Sequence, residues 1–189
     1  MELLHSNILG EGTPLLILHG FLGMSDNWKT LGRKYAERGF EVHLLDQRNH
    51  GRSFWSEEFN YPVLAEDLLH YMDSHEIGSG LLIGHSMGGM TALYHAHRHP
   101  NDSVEKIVTI GSPAEIEEIV QSYQGLLGFN NRVLKAFDQL VFKEFGYHIH
   151  EFATPKFVKG NPKKGLILHD RLDRIAPFQA SQKVHDAWQ

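Results

Sequence analysis

The stretch Leu81-Leu82-Ile83-Gly84-His85-Ser86-Met87-Gly88-Gly89 constrains this chain more than any other. An apolar run of strand type ends in a serine with a glycine two positions away on either side. A segment of helical character, Met90 to His97, follows at once. Turning a strand into a helix at one residue forces that residue into a strained backbone conformation. Side chains at the −2 and +2 positions would collide, which is why small residues stand there. Such a nucleophile elbow holds the serine hydroxyl at the tip of a sheet. The helix N-terminus and the amide of Met87 then point at the oxygen of a tetrahedral intermediate.

The rest of the chain reads as strands alternating with helices. Leu3 to Leu9 is expected to be a short edge strand, followed by a turn at Gly10-Glu11-Gly12. Pro14 to His19 is a continuous apolar run, which suits a strand buried on both faces. Asp26 to Arg38 carries Trp28, Leu31 and Tyr35 at helical spacing, and Gly39 closes it. Glu41 to Asp46 is another strand, Pro62 to His75 a helix, Leu81 to His85 the elbow strand, Met87 to His99 the elbow helix and Val104 to Gly111 a further strand. Between Pro113 and Gly160 only two helices are expected, Pro113 to Gln124 and Asn131 to Phe145. Strand character returns at Gly165 to His169, and Pro177 to Trp188 reads as a last helix. This alternation predicts an α/β fold, a mostly parallel sheet with helices on both faces. A helical insert at about 112–160 would form a short lid over the C-terminal edge of the sheet, where sites form in such folds.

Composition narrows the chemistry. The 189 residues are 41% hydrophobic and 22% charged, as in an ordinary soluble globular domain. A net charge of −5 and only short basic clusters give no nucleic-acid footprint. The absence of cysteine excludes disulfides, thiolate metal sites and a cysteine nucleophile. No basic region followed by an apolar stretch opens the chain, and no apolar run is long enough to cross a bilayer, so a cytoplasmic location without membrane partners is the expectation. Fourteen histidines raise the question of a metal. However, His95 and His99, at i and i+4, lack the H-E-x-x-H pattern, and His148 and His150 alternate in a possible strand. The expectation is helix-surface histidines and no metal site.

Two more motifs belong with the elbow. His19-Gly20-Phe21-Leu22-Gly23 ends the first buried strand, and the amide of Phe21 is the natural second donor of an oxyanion hole beside that of Met87. His19, Gly20 and His85 are placed beside the substrate, with His19 bracing the loop and His85 packed away from the serine. Asp46-Gln47-Arg48-Asn49-His50-Gly51-Arg52-Ser53 reads as a loop fixed by side-chain-to-backbone hydrogen bonds, lining the site from one side.

Taken in this order, His19-Gly20, the Asp46 to Ser53 loop and the Gly84 to Gly89 elbow resemble an α/β-hydrolase, and Leu3 to Gly111 is particularly similar to small bacterial serine esterases. The segment Leu166 to Pro177 resembles the part that carries the acid in most of that superfamily. Aligned there, Asp173 falls on the acid, with Asp170 as a possible substitute. The resemblance implies acyl transfer to water through an acyl-enzyme: Ser86 attacks, Phe21 and Met87 amides hold the oxyanion, and a histidine oriented by Asp173 relays the proton. A small-molecule ester or thioester with a small acyl group is the implied substrate, turned over without a cofactor by a monomer or homodimer.

Two departures stand out. At the end of the strand after the elbow helix, where some small esterases carry the acid, this chain has Thr109, Gly111 and Ser112, none of them a carboxylate. The histidine of such a triad follows the acid by a helix and a strand, whereas only His185 lies beyond Asp173 here, about two turns into the last helix. The expected base therefore lies past Gln189, on a further strand and helix, or the chain as given is inactive. Carbon–carbon bond hydrolases and lyases of the same superfamily, and a hydrolase-like binding protein without its base, are the competing readings. Leu126, Leu127, Phe129, Val133, Leu134, Phe137, Leu140, Val141 and Phe142 either pack the lid on the sheet or line an apolar acyl pocket.

Overall fold

Leu15, Leu16, Ile17 and Leu18 are all buried, as a strand covered on both faces requires. The computed structural model describes residues 2–145 and 148–188. Its strands are β1 (Ser6–Leu9), β2 (Thr13–Leu18), β3 (Phe40–Leu45), β4 (Gly80–His85), β5 (Val104–Ile110) and β6 (Lys164–Leu168). They form one sheet in the order β1-β3-β2-β4-β5-β6. Only β1 runs antiparallel to its neighbour, with Ser6 opposite Leu45. Every other pair is parallel.

The helices are α1 (Lys29–Ala36), α2 (Tyr61–Ser74), α3 (Met87–Arg98), α4 (Ile116–Leu127), α5 (Asn131–Phe145), α6 (Thr154–Val158) and α7 (Phe178–Ala187). Alternate residues of the central strands meet different layers, as the pleat dictates. Leu16, Leu18 and Leu82 pack with Leu68 and Tyr71 of α2, Leu93 of α3 and Val184 of α7. Leu15, Ile17 and Ile83 face the other way, toward Trp28 and α1 residues Tyr35 and Ala36. Helices therefore cover both faces of a mostly parallel sheet, the architecture expected from the strand–helix alternation. At the far edge, Leu166 and Leu168 of β6 remain about half exposed, at 54% and 45%.

Several boundaries differ from expectation. The first strand begins at Ser6, because the chain before it only lays Leu4 into the core. The helix expected from Asp26 opens as a 3-10 turn, Ser25–Trp28, before α1 begins at Lys29. The first insert helix starts at Ile116, after an isolated bridge pairs Glu115 with Ala153, and runs to a left-handed Gly128 with φ 68°. The short helix α6 was unexpected: five residues carry too little periodicity to register. His148 caps a 3-10 turn, Ile149–Glu151, and His150 lies within it, rather than the two alternating in a strand. His95 is not on a helix surface. It is fully buried, its Nδ1 bonded to the Ala65 carbonyl at 3.1 Å and its Nε2 paired with Asp102 at 2.5 Å. Lys163 holds the other Asp102 oxygen at 2.8 Å, so this histidine ties the elbow helix to the loops flanking β5 and β6.

Candidate active site

Ser86 caps the strand–helix junction with φ 50° and ψ −117°, outside the regions a non-glycine residue prefers. Its amide donates to the Ile110 carbonyl at 3.0 Å, so the elbow is pinned to the end of β5. The flanking glycines are dictated by contact. A side chain on Gly84 would enter the Gly88 backbone, and one on Gly88 would stand 2.5 Å from the Leu18 carbonyl oxygen. Helix α3 thus sits directly against the end of β2. Among the described residues the Ser86 hydroxyl has no hydrogen-bond partner.

The end of β2 brings the second motif to the serine. A methyl group added to Gly20 would lie 3.1 Å from Ser86 Cβ and 2.7 Å from His85 Nδ1, so the loop after β2 runs alongside the elbow. The amides of Phe21 and Met87 both belong to this junction, and neither donates to another protein group among the described residues. His19 is buried behind the loop. Its Nδ1–H donates to the Gly20 carbonyl at 2.7 Å, and its Nε2 accepts from the Gln47 amide at 3.0 Å. With both ring nitrogens engaged, and its pKa pushed down by burial, His19 braces the loop as a neutral ring. His85 lies tilted against Trp28, 5.6 Å between ring centroids, and burial likewise lowers its pKa.

The loop after β6 supplies the carboxylate. Asp173 Oδ1 accepts the amides of Ile175 and Ala176 at 2.8 and 2.9 Å, which fixes the side chain in a tight turn. Its Oδ2 faces the end of β5, 3.7 Å from where a side chain on Gly111 would begin. Gly111 in turn donates to the Leu168 carbonyl at 2.9 Å. The absence of a side chain at residue 111 therefore leaves the carboxylate an open approach from the serine side. Asp170, the alternative acid, is spent on the Leu172 amide at 2.9 Å. Neither aspartate pairs with Arg171 or Arg174 among the described residues.

No described histidine is hydrogen-bonded to the Ser86 hydroxyl. His185 stands exposed on α7 beside Asp186. His169, 3.8 Å from Asp173, donates to the Ala176 carbonyl at 2.6 Å and accepts from Ser181, so its ring is committed to holding the acid loop.

Over the serine lies a cavity of about 830 Å³. Its floor is Ser86, Met87 and Met90, one wall is Phe59 to Leu64, and its roof comes from the facing sides of α4 and α5. Of the apolar lid residues, Leu127, Phe129, Val133, Leu134, Phe137 and Val141 line this cavity, whereas Leu126, Leu140 and Phe142 do not. His19, Gly20, His85 and Asp173 are likewise absent from the lining.

A model of the α/β-hydrolase fold matches residues 13–154. The chain belongs to the α/β-hydrolase family. Two similar proteins are a putative esterase/lipase of Haemophilus influenzae, 40% identical over 52% of this chain and 34% of that protein, and a sn-1-specific diacylglycerol lipase of Danio rerio, 39% identical over 53% of this chain and 32% of the other. The chain spans between about a third and under a half of the length of the curated relatives it matches. Among solved structures, an esterase from Exiguobacterium antarcticum superposes with a TM-score of 0.76 over 97% of this chain and 83% of that one. At 18% identity, that likeness speaks for the fold alone.

Within this α/β-hydrolase, His50 was read only as one residue of the Asp46 to Ser53 loop, and Asn60 and Tyr61 were not read as site residues. His50 accepts the Leu22 amide at Nε2, 3.2 Å, and donates from Nδ1 to the Arg48 carbonyl, 2.9 Å, so the Asp46 to Ser53 loop grips the loop that carries Phe21. Asn60 and Tyr61 bring polar atoms to the cavity wall, where Asn60 also caps α2 through the Val63 amide at 3.0 Å. Asn60 ahead of Pro62 is a readable helix-cap signal, but nothing in its spacing, or in that of His50, points to the cavity.

Proposed function

We propose that this α/β-hydrolase cleaves carboxylic esters through an acyl-enzyme on Ser86. The observation that carries the proposal is the serine's positive φ at a strand–helix junction, with the Gly20 loop within van der Waals reach. In this reading the Ser86 oxygen bonds to the ester carbonyl carbon as its proton passes to a base oriented by Asp173. The carbonyl oxygen takes up the negative charge facing the Phe21 and Met87 amides. Collapse expels the alkoxide, which takes the proton, and water repeats the sequence to release the acid.

Both ring nitrogens of His19 and of His169 are already engaged, which excludes them as that base, so in this reading the proton acceptor on Ser86 is not among the described residues. Reaction with an activated p-nitrophenyl alkylphosphonate tests the assignment. Mass spectrometry should find the phosphonyl group on Ser86 and none on S86A. Because no described base touches the hydroxyl, imidazole added to the solution should raise the labelling rate. A protein left unlabelled even with imidazole would refute the nucleophile assignment and favour a binding protein of hydrolase shape.

A further inference from the structure

The loop after β2 carries strain that its own packing does not repay. Gly23 donates to the Gly20 carbonyl at 2.9 Å, closing a turn with Phe21 and Leu22 at its centre. Leu22 sits there at φ 59°, in the left-handed region, while Phe21 does not, which is the pattern of a type II turn. That position calls for glycine or asparagine, and a bulky apolar residue opposes the conformation. Burial gives nothing back, since Leu22 is 80% exposed. Both ends of the turn are fixed by contact. A side chain would stand 2.7 Å from His85 Nδ1 at Gly20, and 2.9 Å from the Gly20 carbonyl oxygen at Gly23. The Phe21–Leu22 peptide between them is the joint that can rotate, because turns of types I and II differ by turning that unit over.

His50 grips that peptide. Its Nε2 accepts the Leu22 amide at 3.2 Å, while its Nδ1–H donates to the Arg48 carbonyl at 2.9 Å. The ring is itself wedged. Centroid to centroid, His19 lies 5.0 Å away, Phe21 5.9 Å and Phe59 5.8 Å. The backbone is anchored as well: the His50 amide donates to the Gln47 carbonyl at 3.1 Å, and the Ser53 amide to the His50 carbonyl at 3.2 Å. A rigid acceptor thus faces the amide whose direction decides the turn. His50 is not among the residues lining the cavity, so it reaches the site only through this loop.

Resting on the acyl-enzyme reading of Ser86, we propose that His50 is a positioning residue for the oxyanion site. Through the Leu22 amide it holds the Gly20–Gly23 turn in a form that leucine opposes, and so keeps the Phe21 amide in place beside that of Met87. Oxyanion donors act by standing ready before the charge develops. Without the clamp, the strain at a left-handed leucine favours the relaxed turn by roughly five- to 150-fold. The competent form then becomes a minor one, and the rate falls with its population.

Two amide side chains separate the two bonds of the ring. His50→Gln carries an acceptor about as far out as Nε2 and gives up the bond to Arg48. His50→Asn reaches only the place of Nδ1, keeping Arg48 and losing Leu22. With phosphonate labelling of Ser86 at fixed imidazole as the readout, H50N should slow the reaction at least about fivefold, and H50Q should stay within about twofold of the parent protein. In a Leu22→Gly background the left-handed conformation costs nothing, so the same H50N change should slow labelling less than about twofold. Hydrogen exchange of the Leu22 amide, read by NMR, follows the clamp without the chemistry. It should be slow in the parent protein and in H50Q, and at least about tenfold faster in H50N. Equal exchange in all three, equal slowing of labelling by both amides, or an H50N effect undiminished by Leu22→Gly overturns the proposal. A Leu22 amide released by H50N, together with an unlabelled Ser86 in the parent protein, would uphold the clamp on the turn and remove the acyl-enzyme on which its use rests.

Discussion

Replacing Ser86 by glycine should make the protein more stable than replacing it by alanine. At φ 50° and ψ −117° the serine occupies backbone space where a residue with a Cβ costs about 1–3 kcal/mol. Alanine keeps the Cβ and the strain, whereas glycine removes both. Set against this is the greater freedom of glycine in the unfolded chain, about 0.5–1 kcal/mol at an ordinary position. The difference leaves S86G ahead of S86A by roughly 1 kcal/mol, which in a chain of this size raises Tm by about 2–4 °C. The hydroxyl does not confuse the comparison, because Ser86 Oγ has no hydrogen-bond partner among the described residues, and S86A should match the parent protein. Urea unfolding followed by tryptophan fluorescence gives the three midpoints. If S86G proved equal to or less stable than S86A, the serine would not be strained, and the elbow geometry behind the whole site would be wrong.

Three further outcomes follow from the same coordinates. Arg48 and Asp67 form a bidentate buried pair at 2.5 and 2.7 Å, with the carboxylate side chain 1% exposed, so Asp67→Ala strands a buried guanidinium and should cost about 3–5 kcal/mol in urea unfolding; a loss below 1 kcal/mol would show that water reaches Arg48. Burial lowers the pKa of His19, His43 and His85 below the ordinary 6.5, so the unfolded chain binds more protons than the folded one between those folded values and 6.5. Stability is therefore full above that window and should fall as the pH drops through it; a urea midpoint unchanged from pH 7.5 to 5.5 would contradict the burial of these rings. Lys183 of α7 reaches Glu118 at 2.8 Å and Glu115 at 3.2 Å, tying down the lid, yet it is half exposed. Lys183→Met should cost no more than about 1 kcal/mol globally while speeding proteolysis near Gly128, and an unchanged cleavage rate would show that the ion pairs do not hold α4.

The parts of the site that were legible in the sequence are those where the backbone leaves no choice of residue. Gly84 and Gly88 stand where any side chain would enter a neighbouring main chain, and such a demand writes itself into spacing. Asp173 was singled out only by the resemblance of its segment to the acid-bearing part of the superfamily; the turn it caps two and three residues on was not read from the sequence. The grip of His50 on the Leu22 amide, 28 residues away, was not legible, nor was the place of Asn60 on a cavity wall whose other sides come from distant elements. His95 shows the limit from the other side. Three histidines within five residues on a helix look like surface, and only the fold reveals that one of them meets the Ala65 carbonyl and Asp102.

The lid marks where periodicity stops being informative. An apolar stripe at helical spacing states that one face of a helix avoids water, and it reads the same whether that face meets a packed core or a void. In α2 and α3 the stripe meets the sheet, and residues such as Leu68 and Leu93 are fully buried. In α4 it leaves no residue buried and a cavity of 830 Å³ beneath it. Apolar side chains that face a cleft forgo the burial a packed core would give, so a protein that keeps such a wall beside a strained serine loses free energy twice at the same place. Packing alone explains neither loss. An apolar ligand that covered this wall while reaching the serine would account for both, so the elbow and the lid read as two halves of one candidate site.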